Sequence, residues 1–441
     1  MPKNCETLIT ADYILTQDEN RTILENAALA VDNGKISAVG DRERLLSEFA
    51  PEKRLDLGRA MVLPGLINAH THASMTLLRG LADDLPLMEW LTKHIWPIES
   101  GLSEEFIRAG AMLAAAEMIS TGCTCFHDMY FFESAIGRAV SQIGMRAVLG
   151  EGVLAFPTPS CATPEEALAT IEDLSGEFAD DPLITVSVAP HAVYTTSEEV
   201  LAKTFELAEK LDAPWTIHLA ETVQEVDDCI EKFGKRPLAY LADIGCLSPR
   251  SLLVHCVYLD DREIEMLAQS GAGVAHQPES NMKLASGTAR IQRLKEAGAR
   301  LCLGTDGAAS NNNLNMFTEM ASTSLLQKSY RSDPTVMDAQ SVLDMATTGG
   351  ADCLMLPEIG SLEPGKAADL TALDLTRPNL TPVYNPVSHC VYAATGQEVK
   401  MTMINGRTVY SGGNFETFDY PGLLTEIESI RRWVIEKHKA K

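Results

Sequence analysis

Eight short apolar runs, most of them separated by longer helical stretches, constrain this chain more than any other feature. They are Val62–His72, Thr121–Asp128, Arg146–Leu154, Ile184–Ala192, Pro214–Glu221, Ser251–Leu259, Ala272–Gln277 and Arg300–Asp306. Between them lie helical patterns such as 104–120 and 197–211. Strands buried on both faces read as continuous apolar runs, and their alternation with helices predicts a parallel sheet. Eight such units predict an α/β fold of the (β/α)8, or TIM barrel, type. A doubly wound sheet would open on a Gly-rich turn, whereas the first run here ends in His70-Thr71-His72.

Both ends of the chain read differently. Leu8–Leu15, Ala27–Val31 and Lys35–Val39 are strand-like, with a hairpin turn at Asp32-Asn33-Gly34. Asp369–Leu373 and Val399–Ile404 are strand-like too, with a second turn at Asn405-Gly406. These flanks predict a small β-sandwich domain built from both ends, 1–62 and 363–441, around a barrel over 63–362. A charged amphipathic helix over 423–437 closes the chain.

Composition narrows the partners. There are 61 Asp and Glu against 36 Lys and Arg, a formal charge of −25. That field repels phosphate backbones, so a nucleic-acid polymer is excluded and a small molecule expected. No stretch is long and apolar enough for a membrane span. The opening MPKNCETLITADYIL lacks the order of a signal peptide, and the 10 cysteines form no CxxC pair. Reduced core cysteines and a cytoplasmic location are the expectation. A homo-oligomer is compatible with the sequence.

The predicted strands end in chemistry. His70 and His72, His127 and Asp128, Glu151, His191, His218 and Glu221, His255, His276 and Asp306 all stand at or near the C-terminal ends of runs. Barrel enzymes carry their reactive groups there. Residues i and i+2 of a strand share a face, so His70 and His72 can address one ion. HxH alone also occurs in surface or core pairs. With His218, His255 and Asp306 at other strand ends, the pattern offers a nitrogen-and-oxygen shell for one metal and a water.

In order and spacing, PGLINAHTH, His218, His255, GTDGAASNN and GSLEPGKAADL resemble the amidohydrolase superfamily over nearly the whole chain. Within it, HTHASMTLLRGLADDL, DMYF, PHAVYT, IHLAET, HCVYL, PESNMKLASG and LGTDGAASNNNLNMFTEM resemble the 5′-methylthioadenosine/S-adenosylhomocysteine deaminases. The resemblance implies His70, His72, His218 and Asp306 as ligands of one divalent metal, zinc ahead of ferrous iron. The fourth run holds no lysine to be carboxylated and to bridge a second metal. It also implies hydrolytic removal of the amino group from a 5′-substituted adenosine. Glu221 would then protonate the ring nitrogen, His255 would steady the oxygen, and Asp306 would move protons. His191 and Glu99 would contact the substrate, Glu99 through the ribose hydroxyls.

Each role has a plainer alternative: a helix-capping carboxylate for Glu221, a core histidine for His255, and a solvated acid for Glu99. A guanine- or triazine-type hydrolase on the same scaffold is the competing function. Some family members place an arginine after the third strand, against the amino-acid carboxylate of S-adenosylhomocysteine. Here that position is Glu151, which predicts repulsion of an anionic 5′ tail.

Overall fold

The computed structural model describes residues 2–439. All eight runs contain strands, and every pairing among those strands is parallel. Leu66–Thr71, Cys123–Tyr130, Arg146–Val153, Ile184–Val186 and Ala189–Pro190 form one sheet. Trp215–Leu219, Ser251–His255, Gly273–His276 and Arg300–Leu303 form another. The fourth run is therefore two short strands rather than one.

Backbone contacts join the two sheets at both margins. Val188 pairs with Trp215 and Ala192 with His218 as isolated parallel bridges. At the other margin the Asp306 N–H donates to the His70 carbonyl at 3.0 Å. A Cβ on Gly304 would lie 2.7 Å from the His70 backbone nitrogen and oxygen, so only glycine permits this approach. Cys123–Tyr130 and Arg146–Val153 are buried at every position, as strands covered on both faces require.

The chain ends come together in a nine-stranded sheet. Leu370–Asp374 runs antiparallel to Ala60–Pro64, and Ala60–Pro64 pairs in parallel with Lys3–Leu15. Both predicted hairpin turns are present, and they touch. A Cβ on Gly34 would lie 2.8 Å from Asn405 Oδ1, and one on Gly406 2.8 Å from Gly34 Cα. The positive φ of 73° and 78° at these glycines suits the turns, and the absence of side chains lets them abut. A buried ion pair, Arg146 Nε to Asp369 Oδ2 at 2.8 Å, ties this sheet to the third run.

The closing helix spans Tyr420–Lys439 and buries Leu423 and Val434. Its Trp433 ring meets Phe106 at 5.8 Å, on the helix Glu104–Ser120. All ten cysteines are buried and unpaired with one another. No helix among the described residues is long and apolar enough to cross a membrane.

Candidate active site

His70, His72, His218 and Asp306 converge from three strand ends. One ligand atom from each lies within 4.8 Å of the others. Strand alternation points both His70 and His72 inward, with Thr71 between them turned to the Asp306 carbonyl. The Nδ1 of His72 lies 2.6 Å from the Met129 carbonyl and that of His218 2.9 Å from the His191 carbonyl. Each Nδ1 therefore carries a proton, and each Nε2 is the atom turned to the centre.

Asp306 is held just as firmly. Its Oδ1 accepts from the Gly307 N–H at 2.8 Å, and its Oδ2 accepts from the Ser280 and Ser310 hydroxyls at 2.6 and 2.8 Å.

Burial and close neighbours set the charge states in the cluster. Burial pushes His70 down to about 3, and burial among neighbouring imidazoles holds His218 well below its usual range. Burial works against His72 as well, but Asp306, 3.2 Å from its Nε2, outweighs it and pushes His72 up to about 9. Burial alone would raise Asp306, yet His70 and His72 keep it well below the usual carboxylate range. His70 is fully buried with neither ring nitrogen hydrogen-bonded, and at 3.6 Å from Asp306 it is too far for such a bond. A buried, unpartnered imidazole beside two oriented imidazoles and a carboxylate fits one divalent metal.

Glu221 and His255 stand beside this cluster. The capping alternative for Glu221 fails on geometry. The following helix, Val223–Phe233, is capped by Thr222, which accepts from the Glu225 N–H. The Glu225 carboxylate takes the N–H groups of Ala220 and Glu221, both at 2.8 Å. Glu221 is left to accept from the Ser286 hydroxyl at 2.9 Å and to face His255 Nε2 at 3.7 Å. His255 Nδ1 lies 2.9 Å from Asn281 Oδ1, and its backbone N–H donates to Gln277. Ala220, His255 and Asp306 have φ of 51°, 73° and 63°, left-handed conformations that cost such residues roughly 1–3 kcal/mol each and cluster here at the site.

These groups open into a cavity, which His72, His191, His218, Glu221, His255 and Asp306 line. Glu99 lines it too, from the short helix Trp96–Glu99, and its Oε1 accepts from the Tyr130 hydroxyl at 2.6 Å. Burial raises Glu99 above the usual carboxylate range. It is 8% exposed, so it is not a solvated acid. His191 is oriented by Thr195 at 2.9 Å, and its ring lies 4.9 Å from that of His218. Trp90 and Trp96, given no role on the sequence, both line the cavity.

Other strand-end groups turn away. His127 engages the Ala69 carbonyl and Ser187, Asp128 accepts from the Ala73 N–H, and neither lines the cavity; nor does His276. Glu151 is the clearest correction. Its neighbour Gly152 lines the cavity, so alternation points Glu151 outward. Fully buried there, it accepts from the N–H groups of Phe132 and Glu133 at 3.3 and 3.0 Å and from the Ser160 hydroxyl. Its carboxylate is engaged by those groups and does not line the cavity. The sequence reading gave no role to Tyr130, Ser280, Asn281, Ser286 or Ser310. The segments DMYF, PESNMKLASG and GAASNN contain them, but no local pattern says which distant group each one meets.

The amidohydrolase family model matches residues 61–409. A curated relative from Nitratidesulfovibrio vulgaris, named 5-methylthioadenosine/S-adenosylhomocysteine deaminase, is 52% identical over 99% of both chains. A crystal structure described as an adenosine deaminase from Xanthomonas campestris with bound zinc is 39% identical. It superposes with a TM-score of 0.96 over 99% of this chain and 100% of that one. An atrazine chlorohydrolase from Arthrobacter aurescens, in complex with zinc, has a TM-score of 0.88 at 22% identity over 96% of this chain and 100% of its own, a likeness of fold alone. The converging histidines, the matched family model and the full-length relatives lead to one conclusion: the chain belongs to the amidohydrolase family.

Proposed function

We propose that the chain hydrolytically deaminates a 5′-substituted adenosine to the inosine analogue and ammonia. The observation that carries this reading is one cavity holding both the cluster with Glu221 and His255 and, on another wall, the Glu99–Tyr130 pair. The names of the curated relatives and of the zinc-bound neighbour support it. We read the strand contacts at both sheet margins as a closed (β/α)8 barrel over 63–362, and the nine-stranded sheet as a sandwich-like domain from 1–62 and 363–441.

His70, His72, His218 and Asp306 would hold one divalent metal, zinc ahead of iron because the similar adenosine deaminase structure contains zinc. Bound there, it supplies Lewis-acid activation of water near neutral pH. Asp306, kept ionised, accepts the proton that the attacking water loses. Glu221 delivers a proton to the ring nitrogen next to the carbon that carries the amino group, where negative charge would otherwise build. His255 Nε2 steadies the incoming oxygen by a hydrogen bond. Asp306 returns its proton to the departing nitrogen, the C–N bond breaks, and the added oxygen gives up its remaining proton to restore the Glu221 acid, so one water enters and one ammonia leaves. Glu99 accepts hydrogen bonds from the ribose hydroxyls with Tyr130 fixing its rotamer, and His191 contacts the base. A guanine or triazine substrate, lacking a ribose, leaves Glu99 without a task.

The test is turnover of adenine, guanine, a triazine, 2′-deoxyadenosine and adenosine analogues, with metal analysis on the same sample. About one metal per chain is expected. Ribonucleosides should exceed 2′-deoxynucleosides by roughly 5- to 150-fold in kcat/KM, the effect of leaving one buried hydrogen-bonding group unpaired. Guanine or a triazine turned over faster than every adenosine overturns the assignment. So does full activity of a metal-free preparation.

A further inference from the structure

The wall that carries Glu99 is held from outside by the far end of the chain. Between Arg79 and Gly101 the backbone forms three short helical pieces, Leu87–Trp90, Leu91–Ile95 and Trp96–Glu99. The middle piece is wound as a π-helix, a rare form met mostly at functional sites. Leu91, Ile95 and Glu99 recur every four residues and line the cavity, as do Trp90 and Trp96. His94 does not line it. Its Nδ1 lies 3.1 Å from Nε2 of His438, 344 positions along the chain on the closing helix Tyr420–Lys439. Leu423, Ile427, Ile430 and Val434 form the packed stripe of that helix, spaced by three or four residues. His438 comes four residues later and meets the wall. Trp433 rests on Gly101, two residues after Glu99: a Cβ there would lie 3.3 Å from Trp433 Cζ2. Trp433 also meets Phe106, and Glu426 pairs with Arg108, both on the helix that follows the wall. Neither Trp433 nor His438 lines the cavity.

We propose that His438 and Trp433 are positioning residues for substrate binding: through His94 and Gly101 they fix the wall segment, and with it the Glu99 carboxylate, against the ribose. The inference rests on the deaminase reading and extends its ribose site to the closing helix. Helical pieces of four or five residues do not hold themselves in water, because too few hydrogen bonds offset the ordering of the backbone. Their place comes from packing. On the inner side they face the cavity, so the outer contacts carry more of that task. A hydrogen bond weakens within a few tenths of an ångström of misplacement, and a shifted wall takes Glu99 out of reach of the diol. Glu221, His255 and Asp306 stand at other strand ends, so the chemical step does not depend on this helix.

The experiment is steady-state kinetics on the metal-loaded full chain carrying His438→Ala, Trp433→Ala or both. The substrates are adenosine and 2′-deoxyadenosine, with metal analysis on each sample. In the double variant KM for adenosine should rise about tenfold with kcat within about twofold, the mark of binding lost equally from ground and transition states. 2′-Deoxyadenosine lacks one of the two hydroxyls and should lose less, so the preference for the ribonucleoside narrows by about threefold. Trp433→Phe keeps a ring against Gly101 and should restore the unaltered values. A folded double variant with unchanged KM and preference overturns the proposal, and so does a fall in kcat alone. The closing helix also lies against Ala73–Leu78, just after His72, so loss of metal would assign it to the metal cluster and overturn the proposal as well. Should Trp433→Ala fail to fold, His438→Ala alone decides, with a KM rise of about threefold expected. No ammonia from either nucleoside with the unaltered protein overturns the deaminase reading instead.

Discussion

Glu221 and Glu151 make an instructive pair. Both are buried carboxylates near strand ends, and both precede or adjoin the start of a helix. One faces the cavity and the other does not. The difference lies in how each neighbouring helix begins. Val223–Phe233 is capped by Thr222, which accepts from the Glu225 N–H, and the Glu225 carboxylate takes the N–H groups of Ala220 and Glu221 just before the helix. Glu133–Ile143 follows Phe132, which has φ of 57° and no capping side chain. Its first N–H groups are met instead by Glu151 from the next strand, while Glu133 reaches back to the Tyr130 N–H at 2.9 Å. Ala220, left-handed at φ 51°, then breaks strand alternation and turns Glu221 inward; nothing comparable interrupts Arg146–Val153. A carboxylate at a strand end is available for chemistry when another residue caps the helix beside it.

The strongest attempt to break this comparison is Glu221→Gln, which keeps shape and removes the acid. Metal content and substrate binding should persist while kcat falls by about 10²-fold or more. Normal turnover would return Glu221 to a structural role. Glu225→Ala sharpens the contrast from behind. It strips the partner from two buried N–H groups, at about 1–3 kcal/mol each, and should lower kcat by roughly tenfold as Glu221 loses its seat. Denaturant unfolding read beside kcat checks it; stability lost with kcat intact would mean Glu225 only holds the helix.

Glu151→Ala should do the reverse. Unfolding free energy falls by about 1–3 kcal/mol, while the preference among 5′ tails moves little. A changed tail preference at unchanged stability would put Glu151 back in the cavity. The smallest effect is expected from Thr222→Ala, which removes a single cap: about 1 kcal/mol in urea unfolding with kcat/KM within a few-fold. A loss as large as that of Glu225→Ala would show that the threonine, not the glutamate, organises this strand end.

Much of this was legible beforehand because it depends on local spacing. Continuous apolar runs marked all eight strand regions, and Asn33-Gly34 and Asn405-Gly406 marked turns that only φ-permissive residues make easily. The placement of His70 and His72 on one face follows from strand period alone. The break in the fourth run was not legible, since Ile184–Val186 and Ala189–Pro190 sit in a stretch that reads as uninterrupted.

By itself, then, the sequence determined the order of strands and helices and the residue types at their ends, because periodicity and composition act over a few neighbouring residues. Tertiary structure alone decided which ends point inward and who partners whom. Ser286 meets Glu221 across 65 positions and Ser280 meets Asp306 across 26. Glu151 was drawn out of reach by two N–H groups on another strand's helix. Such choices follow from unpaired polar groups seeking partners once burial has removed water, and those partners exist only after the strands have packed.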